Sequence, residues 1–142
     1  MANPGPASAT TIHPQSLGSN QAYRLLGYAT GVSLAATGDA VTFNVINSAT
    51  YNVTNVVITN ASADVSGGAL AIWTGPAGTG TEIVTNASLT SNTSSAYVTK
   101  STVVAATGTK NLATQQFVVK VGTAVAASTV DIYIYGTDFS TF

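Results

Sequence analysis

The sequence predicts an all-β protein: a single antiparallel β-sandwich, jelly-roll-like, of about eight strands, with an extended N-terminal arm. Three observations carry this expectation. Short runs rich in Val, Ile, Thr, Tyr and Phe recur at nearly regular spacing from Tyr23 onward. Clusters of Gly, Asn, Ser and Asp separate them. No window sustains a 3.6-residue apolar period with helix caps. Many short strands without crossover helices indicate an antiparallel sandwich or barrel. Eight strands suit a jelly roll and equally suit other Greek-key sandwiches, so the pattern alone leaves that choice open.

The first run is "YRLLGYATGVSLA", interrupted by Gly27 and Gly31. In "AVTFNVIN", Val41, Phe43 and Val45 alternate with Thr42, Asn44 and Ile46, which places the first set toward a core. The alternation of "YNVTNVVITNA" slips at Asn55–Val56, as a β-bulge or a strand covered on both sides would make it. "ALAIWTG" and "TEIVTNA" flank "GPAGTG", a Pro-Gly hairpin turn. Trp73, beside that turn, reads more readily as core than as surface. "SAYVTKSTVVAAT" and "LATQQFVVKVG" read as two further strands, and "TVDIYIYGTDF" as the last. The expected core includes Val41, Phe43, Val45, Ile83, Phe117, Val119, Ile132 and Ile134.

Residues 1–22 read as an arm, and residues 23–142 as the sandwich domain. The stretch "MANPGPASATTIHPQSLGSN" holds three of the four prolines and no Lys or Arg. It lacks the charged and apolar regions of a secretory signal. No apolar run is long enough to span a membrane as a helix. Synthesis in a cytoplasm is the expectation.

Charge is the unusual feature. Charged residues make up 6% of the chain, with a formal net charge of −1, against about 25% charged residues in an average soluble domain. The wet faces of the strands therefore display Thr, Ser and Asn. Such a surface is hydrated but carries little mutual repulsion, and near-zero net charge promotes association. The composition fits a protein packed in many copies against itself and a partner.

Candidate chemistry is sparse. Cysteine is absent, which removes disulfides, thiolate metal sites and a thiol nucleophile. The single histidine, His13, lies in the arm and fits a contact role there better than a catalytic one. The acids are Asp39, Asp64, Glu82, Asp131 and Asp138; three of them follow small turn residues, where Asp bonds nearby backbone N–H groups. No calcium-loop pattern is present. "GPAGTGTE" has no Lys and no helix to make it a phosphate loop. Four scattered cations, Arg24, Lys100, Lys110 and Lys120, do not make a nucleic-acid footprint. Four Asn-x-Ser/Thr sequons, at Asn52, Asn60, Asn86 and Asn92, are expected by chance in so Ser/Thr-rich a chain. The expectation is no enzyme, no cofactor and no metal.

The aromatic residues say more. Tyr133 and Tyr135 alternate with Ile132 and Ile134, so isoleucines in the core put the tyrosines outward. Phe139 and Phe142 close the chain. Tyr133, Tyr135, Phe139, Phe142 and His13 are the candidate interface residues.

"GYATGVSLAATGDAVTFNV", "YNVTNVVITNASADVSGGALAIWTGPAGTGTEIV" and "TVDIYIYGTDF" together resemble small β-sandwich virion proteins of tailed bacteriophages: capsid decoration (cement) proteins and related head structural proteins. The likeness covers residues 23–138 and lies in strand order and Thr/Asn/Ala-rich texture. It implies a jelly-roll-like domain, often a homotrimer, that sits on the outer surface of a head and bridges major capsid subunits. It also implies an arm that reaches a neighbouring subunit, and no catalytic residues. The other readings are a different virion component (head fibre base, tail or small capsid protein) and a carbohydrate-binding sandwich module. The last would use Trp73 and the tyrosines as an aromatic platform.

Overall fold

The computed structural model describes residues 23–139. The expected arm, with His13, and the terminal Phe142 lie outside the described residues. Eight strands form: β1 (Tyr23–Ser33), β2 (Gly38–Asn44), β3 (Tyr51–Thr59), β4 (Ala69–Gly75), β5 (Thr79–Ser88), β6 (Thr99–Ser101), β7 (Gln116–Thr123) and β8 (Thr129–Asp138). A five-residue helix, α1 (Ala105–Thr109), joins β6 to β7. The strands make two four-stranded antiparallel sheets, ordered β1-β8-β3-β6 and β2-β7-β4-β5.

The pairings have a simple logic. β1 pairs with β8, β2 with β7, β3 with β6 and β4 with β5, as in one long hairpin whose tip is the β4–β5 turn. That hairpin wraps so that β8 also pairs with β3 and β7 also pairs with β4. The result is the double Greek key of an eight-stranded jelly roll.

Period-2 alternation builds the core between the sheets. Leu26 and Val32 of β1, Val53, Val56 and Ile58 of β3, and Val130, Ile132 and Ile134 of β8 enter it from one side. Leu70 and Ile72 of β4, Ile83 and Val84 of β5, and Phe117, Val119 and Val121 of β7 enter from the other. Tyr51 is fully buried and meets Phe117 edge-on at 5.6 Å between ring centroids. Its hydroxyl donates to the Thr114 carbonyl at 2.7 Å, which satisfies the one polar atom the ring carries inside. The expected bulge in β3 is present, as a register shift between Val53 and Asn55.

Two expectations need correction. Val41 and Phe43 are half-buried and pack on the rim of the core. β2 is an edge strand, so only one neighbour covers them. The segment expected as one long strand around "SAYVTKSTVVAAT" yields only three strand residues and then α1. The chain leaves the first sheet here and crosses to the second. Val104 N–H donates to the Ile83 carbonyl at 3.0 Å, and the Thr107 hydroxyl donates to the Glu82 carbonyl at 2.7 Å. Those bonds hold the crossing segment to β5 in place of continued pairing with β3.

Gly136 faces inward where β8 runs between β1 and β3. A Cβ there would collide with the Asn52 carbonyl oxygen and lie 2.7 Å from Leu26 Cδ1. Backbone on a central strand cannot step aside as a side-chain tip can. Gly136→Ala should therefore lose about 1–3 kcal/mol or more in urea unfolding. A variant as stable as the parent would show that β3 and β8 are farther apart than described.

Burial pushes the Tyr51 phenol above its ordinary value of 10.0, against a smaller lowering from its bond to Thr114. Below that value the phenol is neutral in both states and its contribution to stability is complete. Above it the unfolded chain releases its proton first, so stability falls as pH rises. Tyr51→Phe keeps the ring and gives up one hydrogen bond, worth about 1 kcal/mol. It should lower the urea midpoint at neutral pH and make the decline between about pH 9 and about pH 11 shallower.

Candidate functional site

The outer face of the sheet β1-β8-β3-β6 carries a ladder of tyrosines. Tyr133 and Tyr135 of β8 point away from the core, as their alternation with Ile132 and Ile134 requires. Both are half-buried because other tyrosines cover them. Tyr133 lies opposite Tyr28 of β1, with ring centroids 6.2 Å apart and planes 16° from parallel. Tyr135 stacks on Tyr23 at 6.1 Å and 12°. Asn55 and Val57 of β3 flank the two rings on the other side.

A β-bulge makes this arrangement possible. Tyr23 and Leu25 share the outer face, and strict alternation would turn Tyr28 inward. The register of β1 shifts between Leu25 and Gly27, which carries Tyr28 back to the outside. Gly27 fits the bend because a Cβ there would lie 3.0 Å from the Phe43 ring. Tyr23 and Tyr28 stay 60% and 51% exposed, and Tyr97 and Val98 are the other exposed large apolar residues among those described. The sequence reading did not single out Tyr23 and Tyr28. The signal was the Leu-Leu-Gly interruption in "YRLLGY", which marks a bulge. Phe139 is half-buried and joins neither stack; its N–H donates to the Thr50 carbonyl at 2.8 Å.

The acids do structural work at four of five positions. Asp64 accepts from Ser66 N–H at 2.9 Å, the turn role expected of it, and hydrogen bonding from Ser66 holds its carboxyl below the usual range. Asp131 accepts from Gly31 N–H at 2.7 Å and from the Asn60 amide at 2.9 Å. Asp39 accepts from Ala77 N–H at 2.7 Å and so pins the β4–β5 turn to β2. Asp138, which follows a turn-like "GT", is 1% exposed. It pairs with Arg24 at 3.0 Å and accepts from the Ser48 hydroxyl at 2.7 Å. Arg24 also donates to the Ile46 carbonyl at 3.1 Å. This cluster ties the start of β1, the loop after β2 and the end of β8 together. No group of three or more His, Cys, Asp or Glu converges among the described residues.

Two of the sequons are built into the interior. Asn92 is fully buried, donates to the Ile58 carbonyl at 3.3 Å and accepts from the Thr99 hydroxyl at 2.8 Å. Asn52 is buried and donates to the Gly108 carbonyl at 2.8 Å.

Among the described residues, two hollows stand out on the surface. The larger, about 440 Å³, opens between the free edges of β5 and β6 and is lined mainly by Thr, Ser, Val and Lys100. The smaller, about 260 Å³, lies on the outer face of the second sheet over Ala71, Trp73, Glu82, Asn86, Lys120 and Gly122. Trp73 is thus half-buried on that outer face, which corrects the expectation that it is core. Its cross-strand neighbours are Glu82 and Val118, both on the outer side. The inner positions of β4 are taken by Leu70 and Ile72.

No family model, no curated protein and no solved structure matches this chain. No helix among the described residues is long and apolar enough to cross a membrane.

The buried carboxylate of Asp138 has a checkable role. Removing Arg24 would take away the cationic partner it has at 3.0 Å, and breaking a buried pair in this way costs about 3–5 kcal/mol. Arg24→Ala should lower unfolding free energy by that order. Asp138→Asn, which keeps the acceptor from Ser48 and abolishes the charge, should cost less than Asp138→Ala.

Proposed function

We propose that this chain is a structural protein of a tailed-bacteriophage virion, a capsid decoration protein that sits on the head in many copies and bridges major capsid subunits. The observation that carries this reading is the tyrosine ladder. Four stacked tyrosines lie on one open sheet face of a domain with almost no charge. Tyrosine is enriched in the buried centres of protein interfaces, and Lys, Glu and Asp are depleted there. The face has that composition, and among the described residues no further element covers it: Tyr23 and Tyr28 stay exposed. The jelly roll agrees with it, since viral capsid domains use this architecture, although lectin domains use it too and a fold alone does not fix a function. The resemblance in strand order and texture to phage decoration proteins supports the same reading. In it the protein is a homotrimer on the capsid surface, catalyses nothing, and needs no cofactor, nucleic acid or membrane.

Association on such a face rests on apolar burial and neutral hydrogen bonds. Raising salt from about 0.1 M to about 1 M should weaken it little, whereas a nucleic-acid binder would lose affinity steeply. The test is native mass, with sedimentation on heads of the phage that encodes the chain. The parent should form an oligomer and co-sediment. The Tyr23→Ser, Tyr135→Ser double variant should keep its β signal yet bind more than about tenfold more weakly. A stable monomer that ignores heads at every salt concentration overturns the proposal.

A further inference from the structure

We propose that the groove over Trp73, on the outer face of the sheet β2-β7-β4-β5, binds a neutral saccharide, one sugar ring at a time. The proposal stands apart from the virion reading, because it concerns the opposite face of the sandwich and different residues.

The groove is built from a large residue beside small ones. Trp73 stands on β4, and Ala71 and Gly122 next to it form a low floor. A Cβ on Gly122 would run into the Asn86 side chain, so the bare glycine is what lets that amide lie across β7. The β4–β5 turn lies beside Trp73 and Lys120, outside the lining itself. Asp39 holds it through Ala77 N–H, and the Thr79 hydroxyl holds it through the Pro76 carbonyl at 2.7 Å. At Gly78, an added Cβ would lie 3.4 Å from Lys120 Nζ and 3.8 Å from Trp73 Cε2. The turn therefore brings ammonium and indole together at one point. The volume, about 260 Å³, falls just under the roughly 300–1,000 Å³ of sites for drug-sized ligands and gives room for one ring.

The polar groups round the indole are uncommitted. The carboxylate of Glu82, the amide of Asn86 and the ammonium of Lys120 make no hydrogen bond or ion pair with any described residue. Glu82 is the one acid of the five without a structural partner. In a chain with 6% charged residues, two unpaired opposite charges beside the only tryptophan call for a ligand. Glu82 is on β5 and Lys120 on β7, on either side of β4, with Lys120 opposite Ala71 and Glu82 opposite Trp73. Their strands are two inter-strand steps apart, about 10 Å.

The opposite signs of the two groups select the chemistry. A carboxylate only accepts hydrogen bonds and an ammonium only donates them, whereas a hydroxyl does both. A sugar ring carries hydroxyls round its whole edge, so one edge donates to Glu82 while the other accepts from Lys120. The Asn86 amide bonds either way. The ring's C–H face, weakly positive, lies on the negative face of the indole. An anion would suit Lys120 and be repelled by Glu82, and a cation the reverse.

Trp73 is the single tryptophan of the chain, so its fluorescence reads this site alone. The probes are glucose, galactose, mannose, N-acetylglucosamine and N-acetylgalactosamine, with glycine and inorganic phosphate as charged controls. At least one sugar should shift the emission saturably, with a Kd of about 1 mM, the strength expected of one small ring. Lys120→Met and Glu82→Gln should each raise that Kd by about tenfold. Matching thermal melts would show both variants folded. Tyr135→Ser should leave the sugar response unchanged. Four results overturn the proposal. No sugar shifts the emission, or only phosphate or glycine does. The emission follows protein concentration instead, as when a second copy covers the groove. The two variants bind as the parent does. A sugar response in a monomer that ignores heads would sink the virion reading and leave this one standing.

Discussion

Strand β8 hydrogen-bonds to β1 on one side and to β3 on the other, and its register decides which side chains meet water. Its residues alternate without a break from Val130 to Asp138. One set, Val130, Ile132 and Ile134, fills the middle of the core. The other set, Tyr133 and Tyr135, makes the ladder outside. A slip of one residue would exchange the two sets and put tyrosine hydroxyls into the core. Two features beyond the pattern oppose such a slip. Gly136 is the one β8 position where the chain can pass the Asn52 carbonyl, and Asp138 must meet Arg24 and Ser48. Hydrophobic burial, a close backbone approach and a buried ion pair thus specify the same register.

The scarcity of charge acquires a structural meaning from where the charges are. Arg24–Asp138 is the one ion pair among the described residues, and it closes the end of the sandwich where the described chain begins and ends. Surface pairs are worth little, but a carboxylate this deeply buried is expensive to leave alone. Asp39 and Asp64 serve as acceptors for turn backbone N–H groups, and Asp131 for the Gly31 N–H of β1. Those turns and the bulge of β1 at Gly31 are thereby fixed by directional bonds, and hydroxyls, amides and aromatic rings make up most of the outer faces.

Much of this architecture is legible in the sequence because alternation and turn chemistry are local. The "TVDIYIYGTDF" pattern alone places Ile132, Tyr133, Ile134 and Tyr135 on their correct sides. The Asn55 irregularity marks a true bulge, and "GPAGTG" a true hairpin turn. What escapes is non-local. Strand order is not encoded in any one strand, so Val41 and Phe43 read as core although β2 lies at an edge. Asp138 reads as a turn residue because its partner Arg24 is 114 positions away. Trp73 reads as core because a large apolar ring normally is. Only the register of β4 between β5 and β7 turns it outward beside Glu82 and Val118. α1 is five residues long, too short to impose a helical period on "VVAATGT".

The two outer faces solve opposite problems with the same folding rule. On the first, large residues stand opposite large ones across the strands, and their rings stack into a continuous raised surface. Such a surface gains most by meeting another surface, since each ring already covers its neighbour. On the second, one large residue stands beside Ala71 and Gly122, and the same pleat becomes a depression. A depression edged by unpaired polar groups gains most from a small ligand that bonds at its rim and lies flat on its floor. Cross-strand size matching therefore separates the two faces by the kind of partner each can satisfy. A jelly roll provides both at once because its two sheets turn their backs to one another. The ladder stands on β1 and β8 and the groove on β4, β5 and β7, so a change of ladder side chain removes no residue that lines the groove.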